Sequence, residues 1–195
     1  FLDTIKIVAA VYTDLVFVIP AVFGLQELII NMVSKFREKT GLNVLVLNQK
    51  SFDTSNDFEN LKFSLFRTAA IALATSGTVV LELARTGVPM VVGYRSYYIN
   101  ELMIRALVKT SRANLIDIIE SSNEIPEFIF SECTSENLSK AIKEILNDPD
   151  LVSKQLELSR RVMKSLGFGD SNPGDRAAGS VIDFVNNYEK KSPFI

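Results

Sequence analysis

The sequence predicts an α/β fold in which a parallel β-sheet is flanked by helices. Short apolar segments of strand length alternate with segments that repeat apolar residues at helical spacing. A tight turn, Thr75-Ser76-Gly77-Thr78, joins one such strand directly to a helix. Short strands separated by helices of this length imply a parallel sheet that is covered on both faces.

The first predicted elements are a helix, a strand, a second helix and a second strand. Residues 2–12 carry apolar side chains at helical spacing, and the apolar run at 15–19 has the length of a strand. Residues 25–39 place their apolar side chains on one helical face, and Gly41 closes this helix. The next apolar run, 43–47, is predicted to be the second strand.

The same order continues after a polar loop at residues 48–57. A helix is predicted over 58–68 and an apolar strand over 71–74, just before the tight turn. The helix after the turn covers 79–85, and an apolar strand follows Pro89 at 90–93.

The second half of the chain is predicted to be mainly helical. A glycine-rich break from Gly167 to Gly174 precedes the last helix. Pro173 suits a first helical position, while Ser135 and Asp150 suit helix caps. The predicted helices cover residues 99–108, 135–147, 151–166 and 173–188.

Composition excludes several functional classes. The 195 residues carry 21 basic and 23 acidic side chains, so the chain has no global attraction for nucleic acid. With one cysteine, Cys133, and no histidine, it lacks an internal disulfide and the usual zinc or iron ligand sets. A general base in this segment is therefore expected to be a carboxylate, a lysine or a tyrosine.

The chain is expected to be cytoplasmic, without a transmembrane helix. The apolar run at 15–25 is about half the ~20 residues that a membrane-spanning helix requires, and Pro20 and Gly24 interrupt it. The chain opens at Phe1 without an initiator methionine or a basic leader, as expected for an excised or truncated piece.

The turn between strand and helix is the best candidate for a ligand site. Backbone amides at a helix N-terminus favour anions, and a strand-turn-helix unit is a common way to hold a diphosphate. Ser76 and Thr78 are positioned to cap the helix, and Gly77 has no side chain to keep a phosphate from the backbone. We predict a phosphate site at these three residues.

These residues resemble the nucleotide-sugar half of the lipid-A-disaccharide synthase family, glycosyltransferases of the GT-B architecture. The resemblance begins with Ser76-Gly77-Thr78 and Leu81-Glu82 and continues through the glycine-to-arginine run at 87–95. It covers essentially the whole chain and rests on the order of its motifs. The downstream matches are Leu107-Val108-Lys109, Asn114-Leu115, Ile125-Pro126-Glu127-Phe128, Glu132-Cys133-Thr134, Glu136-Asn137-Leu138 and Asp175-Arg176-Ala177-Ala178.

The resemblance implies a Rossmann-like donor domain and an inverting sugar transfer. The expected substrates are UDP-2,3-diacylglucosamine and 2,3-diacylglucosamine 1-phosphate (lipid X), and the products are lipid A disaccharide and UDP. Such enzymes are metal-independent, so no cofactor is expected. The UDP leaving group would then be stabilised by backbone amides, a helix dipole and cationic side chains.

Three further residues acquire expected roles from the resemblance. Glu82 lies one helical turn after Thr78 and would accept hydrogen bonds from the two ribose hydroxyls, although a solvated glutamate is the alternative. Arg95 would offer its guanidinium to phosphate oxygens or remain a surface residue. Asn114 would bind a donor hydroxyl or phosphate oxygen, or act as a turn former. No residue here is a confident catalytic base, and Cys133 is expected to be a small buried hydrophobe.

The resemblance also implies parts that this chain does not contain. Family members have an N-terminal acceptor-binding domain, and their donor domain opens with a strand that ends in a Pro-Gly-Ser-Arg loop. We therefore expect residues 1–166 to form a donor domain without its first strand, which works within a longer polypeptide or beside a complementing chain. Residues 167–195 would form a hinge and a C-terminal helix, exchanged between subunits of a homodimer or packed on their own subunit. Membrane attachment is expected to be peripheral at most, at the inner membrane.

Two other classes of function stay open at this point. One is another GT-B enzyme that uses a UDP-sugar, such as the peptidoglycan N-acetylglucosaminyltransferase or a UDP-sugar epimerase. The other is a non-catalytic donor-half remnant that binds a nucleotide or a partner. The segments with Pro126-Glu127-Phe128 and Glu132-Cys133-Thr134 favour the lipid A enzyme over the first.

Overall fold

The computed structural model describes residues 1–22, 24–52, 54–95, 114–169 and 172–191, and it confirms the α/β class. The helix predicted over 99–108, the matching segment at 107–109 and part of the glycine-rich break lie outside the described residues. The strands are β1 Phe17–Ala21, β2 Val44–Asn48, β3 Ala72–Ala74, β4 Met90–Tyr94 and β5 Glu127–Ile129. The helices are α1 Leu2–Ala9, α2 Gln26–Thr40, α3 Ser55–Thr68, α4 Val79–Thr86, α5 Leu115–Glu120, α6 Ser135–Asn147, α7 Pro149–Ser165 and α8 Pro173–Lys191.

All pairings among the described strands are parallel, as predicted, but they form two sheets rather than one. In the first sheet β1 pairs with β2, and in the second β4 lies between β3 and β5. A doubly wound sheet with the strand order 3-2-1-4-5-6 divides into these two groups when its strand 1 is taken away. The arrangement therefore agrees with a donor domain that lacks its first strand.

Helices cover both faces of the three-stranded sheet, because successive side chains of β4 point to opposite sides. Met90 and Val92 are buried in a cluster with α4 and α7, whereas Val91 is buried in a cluster with α1 and α6. The buried Gln155 of α7 adds a polar contact, because its Oε1 accepts a hydrogen bond from the Met90 backbone N–H at 2.8 Å. Strand β4 is thus held in a packed core from its first residue.

Helix α1 connects the two sheets. Its Val8 is buried in the cluster that contains Val91, while Leu2 and Ile5 pack against a separate cluster of α2 and β2. That second cluster is built on the buried Val33, Phe36 and Val44. Phe17 of β1 packs against both clusters, so the two sheets share a continuous apolar contact through α1 and β1.

Helix caps explain most of the differences in element bounds. Helix α3 begins three residues earlier than predicted, because the Thr54 side chain accepts a hydrogen bond from the Asp57 N–H at 3.2 Å. The caps predicted at Ser135 and Asp150 were wrong, since Thr134 and Asp148 accept the bonds. Gly41 closes α2 as predicted, with a left-handed φ of 71°. Helix α1 ends at Ala9 rather than at residue 12, and β1 lies two residues later than predicted.

Among the described helices, exposed apolar side chains are most numerous on α8 and on α2 with the residues before it. On α8 these are Val181, Ile182, Phe184 and Val185. On α2 and the residues before it they are Val22, Leu25, Leu28 and Met32, which we call the α2 apolar face. None of the helices in the described ranges is long and apolar enough to cross a membrane.

Candidate functional site

The turn before α4 adopts a backbone conformation that requires glycine. Gly77 has a φ of 152°, which side-chain-bearing residues rarely adopt, yet a Cβ at this position would meet no atom within 4 Å. The requirement is therefore conformational rather than steric. The open space beside Gly77 allows a ligand to approach the backbone, which agrees with the predicted phosphate site at Ser76, Gly77 and Thr78.

Helix α4 begins immediately after this turn, with Thr78 as its N-cap residue. The Thr78 side chain makes no capping hydrogen bond to the helix, contrary to the prediction, and it is exposed. The first bonds inside the helix run from the Val80 and Leu81 amides to the carbonyls of Gly77 and Thr78. The N-terminus of α4 therefore keeps the partial positive charge that attracts anions.

Glu82 lies in the first turn of α4 and faces a lysine of α3. The distance from the Lys62 Nζ to the Glu82 Oε2 is 3.0 Å, and the Glu59 Oε2 lies 2.7 Å from the same Nζ. Burial alone would lower the pKa of Lys62, but the hydrogen bonds and charges of Glu59 and Glu82 outweigh burial and raise it. The carboxylate predicted to bind ribose therefore lies in a defined ion pair while remaining 35% exposed.

Arg95 lines a cleft at the carboxyl ends of β3 and β4. The cleft has a volume of about 490 Å³, and the N-termini of α1 and α6 face it from the other sides. Ligands in parallel α/β sheets bind at this edge. The lining residues are Phe1, Asp3, Thr75, Gly93, Arg95, Cys133, Thr134, Ser135, Glu136 and Leu138.

Close packing forms the floor of this cleft. A Cβ on Gly93 would lie 3.1 Å from the Cys133 Sγ and equally close to side-chain atoms of Leu138 and Phe1, so a larger residue would need its neighbours to move. Burial raises the pKa of the Cys133 thiol, and the positive charge of Arg95 only partly opposes this effect. Cys133 is thus a buried protonated thiol, as expected for a small hydrophobe.

Asn114 is fully buried and caps α5. Its Oδ1 accepts a hydrogen bond from the Ile116 N–H at 2.9 Å, and its Nδ2 donates to the Asp117 Oδ2 at 2.7 Å. Asp117 is itself buried and accepts further bonds from the Ser122 hydroxyl and the Glu124 N–H. These contacts match the turn-forming alternative, and the donor-binding role of Asn114 stays a prediction.

Some residues of the cleft were not among the predicted site residues. They include Asp3 and Thr75, and the start of α6 at Thr134, Ser135 and Glu136. Helix α6 was predicted with its observed bounds, but the short strand β5 before it was not recognised. With β5 assigned, the rule that ligands bind at the carboxyl ends of parallel strands would have pointed to the start of α6.

Comparison with known proteins finds sequence similarity to a known enzyme family. A family model described as lipid-A-disaccharide synthetase matches residues 5–181. The lipid-A-disaccharide synthase of Rhodospirillum centenum is 30% identical over 182 residues, which is 93% of this chain and 42% of that protein. The enzyme of the same name from Rickettsia prowazekii is also 30% identical over 182 residues, 93% of this chain and 44% of that protein.

A shorter alignment has higher identity. The lipid-A-disaccharide synthase of Nitrobacter hamburgensis is 39% identical over 128 residues, which is 66% of this chain and 32% of that protein. The chain therefore spans less than half the length of the curated relatives that it matches. Because the family model matches most of its residues, the chain belongs to the lipid-A-disaccharide synthase family.

Proposed function

We propose that this chain is the donor-binding half of a lipid-A-disaccharide synthase. The complete enzyme would transfer 2,3-diacylglucosamine from UDP-2,3-diacylglucosamine to lipid X with inversion, giving lipid A disaccharide and UDP. The observation that carries the proposal is the placement of the Gly77 turn, Glu82 and Arg95 around the carboxyl ends of β3 and β4. This is the edge at which α/β folds bind nucleotides.

Each of these groups has a separate task in the proposed site. The amides at the N-terminus of α4 and the Arg95 guanidinium bind the diphosphate and stabilise its charge as the glycosidic bond breaks. The Glu82 carboxylate accepts hydrogen bonds from the ribose hydroxyls. The acceptor and the general base lie outside these residues, so the chain alone binds the donor and does not complete the transfer.

Calorimetric titration with UDP tests the donor site. The wild-type chain should bind UDP, and Glu82→Ala should weaken binding about tenfold or more, since a hydrogen bond to a charged group contributes roughly 1.5–3 kcal/mol. Glu59→Ala is the matched control, because Glu59 contacts the same lysine but lies on α3. Absence of UDP binding in a folded sample would favour a remnant, and preference for UDP-N-acetylglucosamine over the diacylated donor would favour another GT-B enzyme.

We further propose that a parallel strand from outside these 195 residues pairs between β1 and β3 and carries the acceptor domain with it. The division of the described strands into two sheets supports this proposal, as does the partial coverage of the relatives. Co-expression with the N-terminal half of the Rhodospirillum centenum enzyme tests it. Complementation should yield a stable complex that forms disaccharide, and two halves that remain separate would contradict the proposal.

The exposed face of α8 supports a homodimer in which residues 167–195 are exchanged. Val181, Ile182 and Val185 are exposed on this helix, and a second subunit would bury them. Light scattering after size exclusion should therefore give a dimer that Ile182→Asp converts to a monomer. Leu61→Asp, an exposed leucine on α3, should leave the dimer intact.

The α2 apolar face supports peripheral attachment of a cytoplasmic protein to the inner membrane. Leu25, Leu28 and Met32 lie on the same helical face as the exposed Lys35 and Lys39, at alternating spacings of three and four residues. An apolar face continued by lysines is suited to an anionic lipid surface. The wild-type chain should sediment together with vesicles rich in phosphatidylglycerol. A double variant with Leu28→Glu and Met32→Glu should remain in the supernatant.

A further inference from the structure

Lys62 of α3 is held more firmly than a surface lysine. Its side chain is only 12% exposed, and its Nζ lies 2.7 Å from the Glu59 Oε2 and 3.0 Å from the Glu82 Oε2. The same Nζ also lies 5.0 Å from the centre of the Phe63 ring, which is within the range of a cation–π contact. Three partners thus fix one ammonium group between α3 and α4.

The charge of this ammonium is maintained despite its burial. A desolvated lysine tends to lose its proton, but Glu59 and Glu82 raise its pKa by hydrogen bonding and charge. Lys62 therefore presents a permanent cation to the Glu82 carboxylate at neutral pH. A cation at this distance favours one orientation of the Glu82 carboxylate.

The orientation of Glu82 matters because two neighbouring hydroxyls must meet the two oxygens of one carboxylate. Glu82 is one turn into α4 and 35% exposed, so without a partner its side chain would sample several rotamers. We propose that Lys62 is a positioning residue for nucleotide recognition, which holds the Glu82 carboxylate ready for the cis-diol of a ribose. The inference rests on the donor-binding role proposed above and assigns a specificity role to a residue outside the cleft.

A purely structural role for Lys62 makes a different prediction. An ion pair that only joins α3 to α4 would affect all nucleotides equally, because its loss would change the stability of the domain. A positioning role affects only nucleotides that carry the ribose hydroxyls. Comparison of UDP with its 2′,3′-dideoxy analogue separates the two roles, because both nucleotides present the same base and diphosphate.

The experiment measures dissociation constants of UDP and 2′,3′-dideoxy-UDP by calorimetry for the full chain and four variants. The wild-type chain should prefer UDP about tenfold, as expected for a hydrogen bond to a charged group, and Glu82→Ala should remove this preference. Lys62→Met should also remove most of it while changing the affinity for 2′,3′-dideoxy-UDP less than about threefold. Lys62→Arg should restore the preference, and Glu59→Gln should retain it.

The outcomes separate the inference from the proposed function. Loss of the preference in Lys62→Met with recovery in Lys62→Arg supports the positioning role. Equal weakening of both nucleotides in Lys62→Met, or an unchanged preference, overturns it even when Glu82→Ala behaves as expected. If Glu82→Ala keeps the preference, the ribose role of Glu82 is wrong and the inference falls with it. Lys62→Gln replaces Lys62→Met if circular dichroism shows that the methionine variant is unfolded.

Discussion

Replacement of Gly77 by alanine tests the physical basis of the phosphate turn. Its φ of 152° is unfavourable for alanine, whereas the added Cβ would contact no atom within 4 Å. Any effect must therefore come from backbone conformation and not from a clash. Sparsely populated backbone conformations cost about 1–3 kcal/mol, so Gly77→Ala should lower the free energy of unfolding by about that amount.

The same substitution should weaken nucleotide binding. Part of the strain is relieved if the turn rotates, and rotation redirects the amides at the start of α4 away from the diphosphate. A change of 1–3 kcal/mol corresponds to roughly 5- to 150-fold in an equilibrium constant. Calorimetry can measure a loss of UDP affinity of this size. Urea unfolding followed by circular dichroism measures the accompanying loss of stability.

Gly179→Ala is the matched control for this measurement. Gly179 lies inside α8, has no unusual φ and would also meet no atom within 4 Å, so alanine there should stabilise the helix by up to about 1 kcal/mol. The change in the free energy of unfolding is therefore expected to have opposite signs at the two glycines. The reasoning is refuted if Gly77→Ala is as stable as the wild-type chain, because the turn would then not depend on the conformation of Gly77.

Three further predictions concern the packing around the site. Gln155→Leu leaves the buried Met90 N–H without its acceptor and should cost about 1–3 kcal/mol in urea unfolding, whereas the exposed Lys154→Ala should be neutral. Burial and the raised pKa of Cys133 should make its alkylation by iodoacetamide slow until the chain is unfolded in urea, and rapid alkylation of the folded chain would contradict its burial. Because folding raises the pKa of Lys62, the ion-pair contribution to stability should be intact at pH 8 and be lost as the pH rises from the usual lysine pKa of about 10.4 through the raised pKa of the folded chain. The difference in unfolding free energy between wild type and Lys62→Met should therefore shrink between about pH 8 and pH 11.

The fold could be predicted wherever local pattern and burial agree. Helix α6 was predicted with its observed bounds, Ser135–Asn147, because its apolar residues repeat at helical spacing and five of its side chains are buried. Strand β4 is buried on both faces, so its continuous apolar run was recognisable. Helix α5, with six residues, and strand β5, Glu127–Ile129, are too short for any period to appear, and tertiary contacts determine them.

Local sequence could identify some residues of the candidate site but not the contacts between distant elements. Gly77 could be identified because only glycine adopts such a φ readily, and that requirement is local. The partner of Glu82 could not be identified, since Lys62 is twenty residues earlier and meets it only after α3 packs beside α4. Likewise, the contact between Asn114 and Asp117 depends on the burial of both residues, which their polar side chains do not indicate.

The two sheets are expected to differ in local stability. The core around β1 and β2 is built on Val33, Phe36 and Val44, and a two-stranded sheet has little stability by itself. This part should therefore exchange its amide hydrogens through local opening, at lower free energy than β4 in the larger core. Helix α1 packs on both parts, so the two parts are expected to unfold together. Shortening the apolar side chains of α1 should therefore separate one unfolding transition into two.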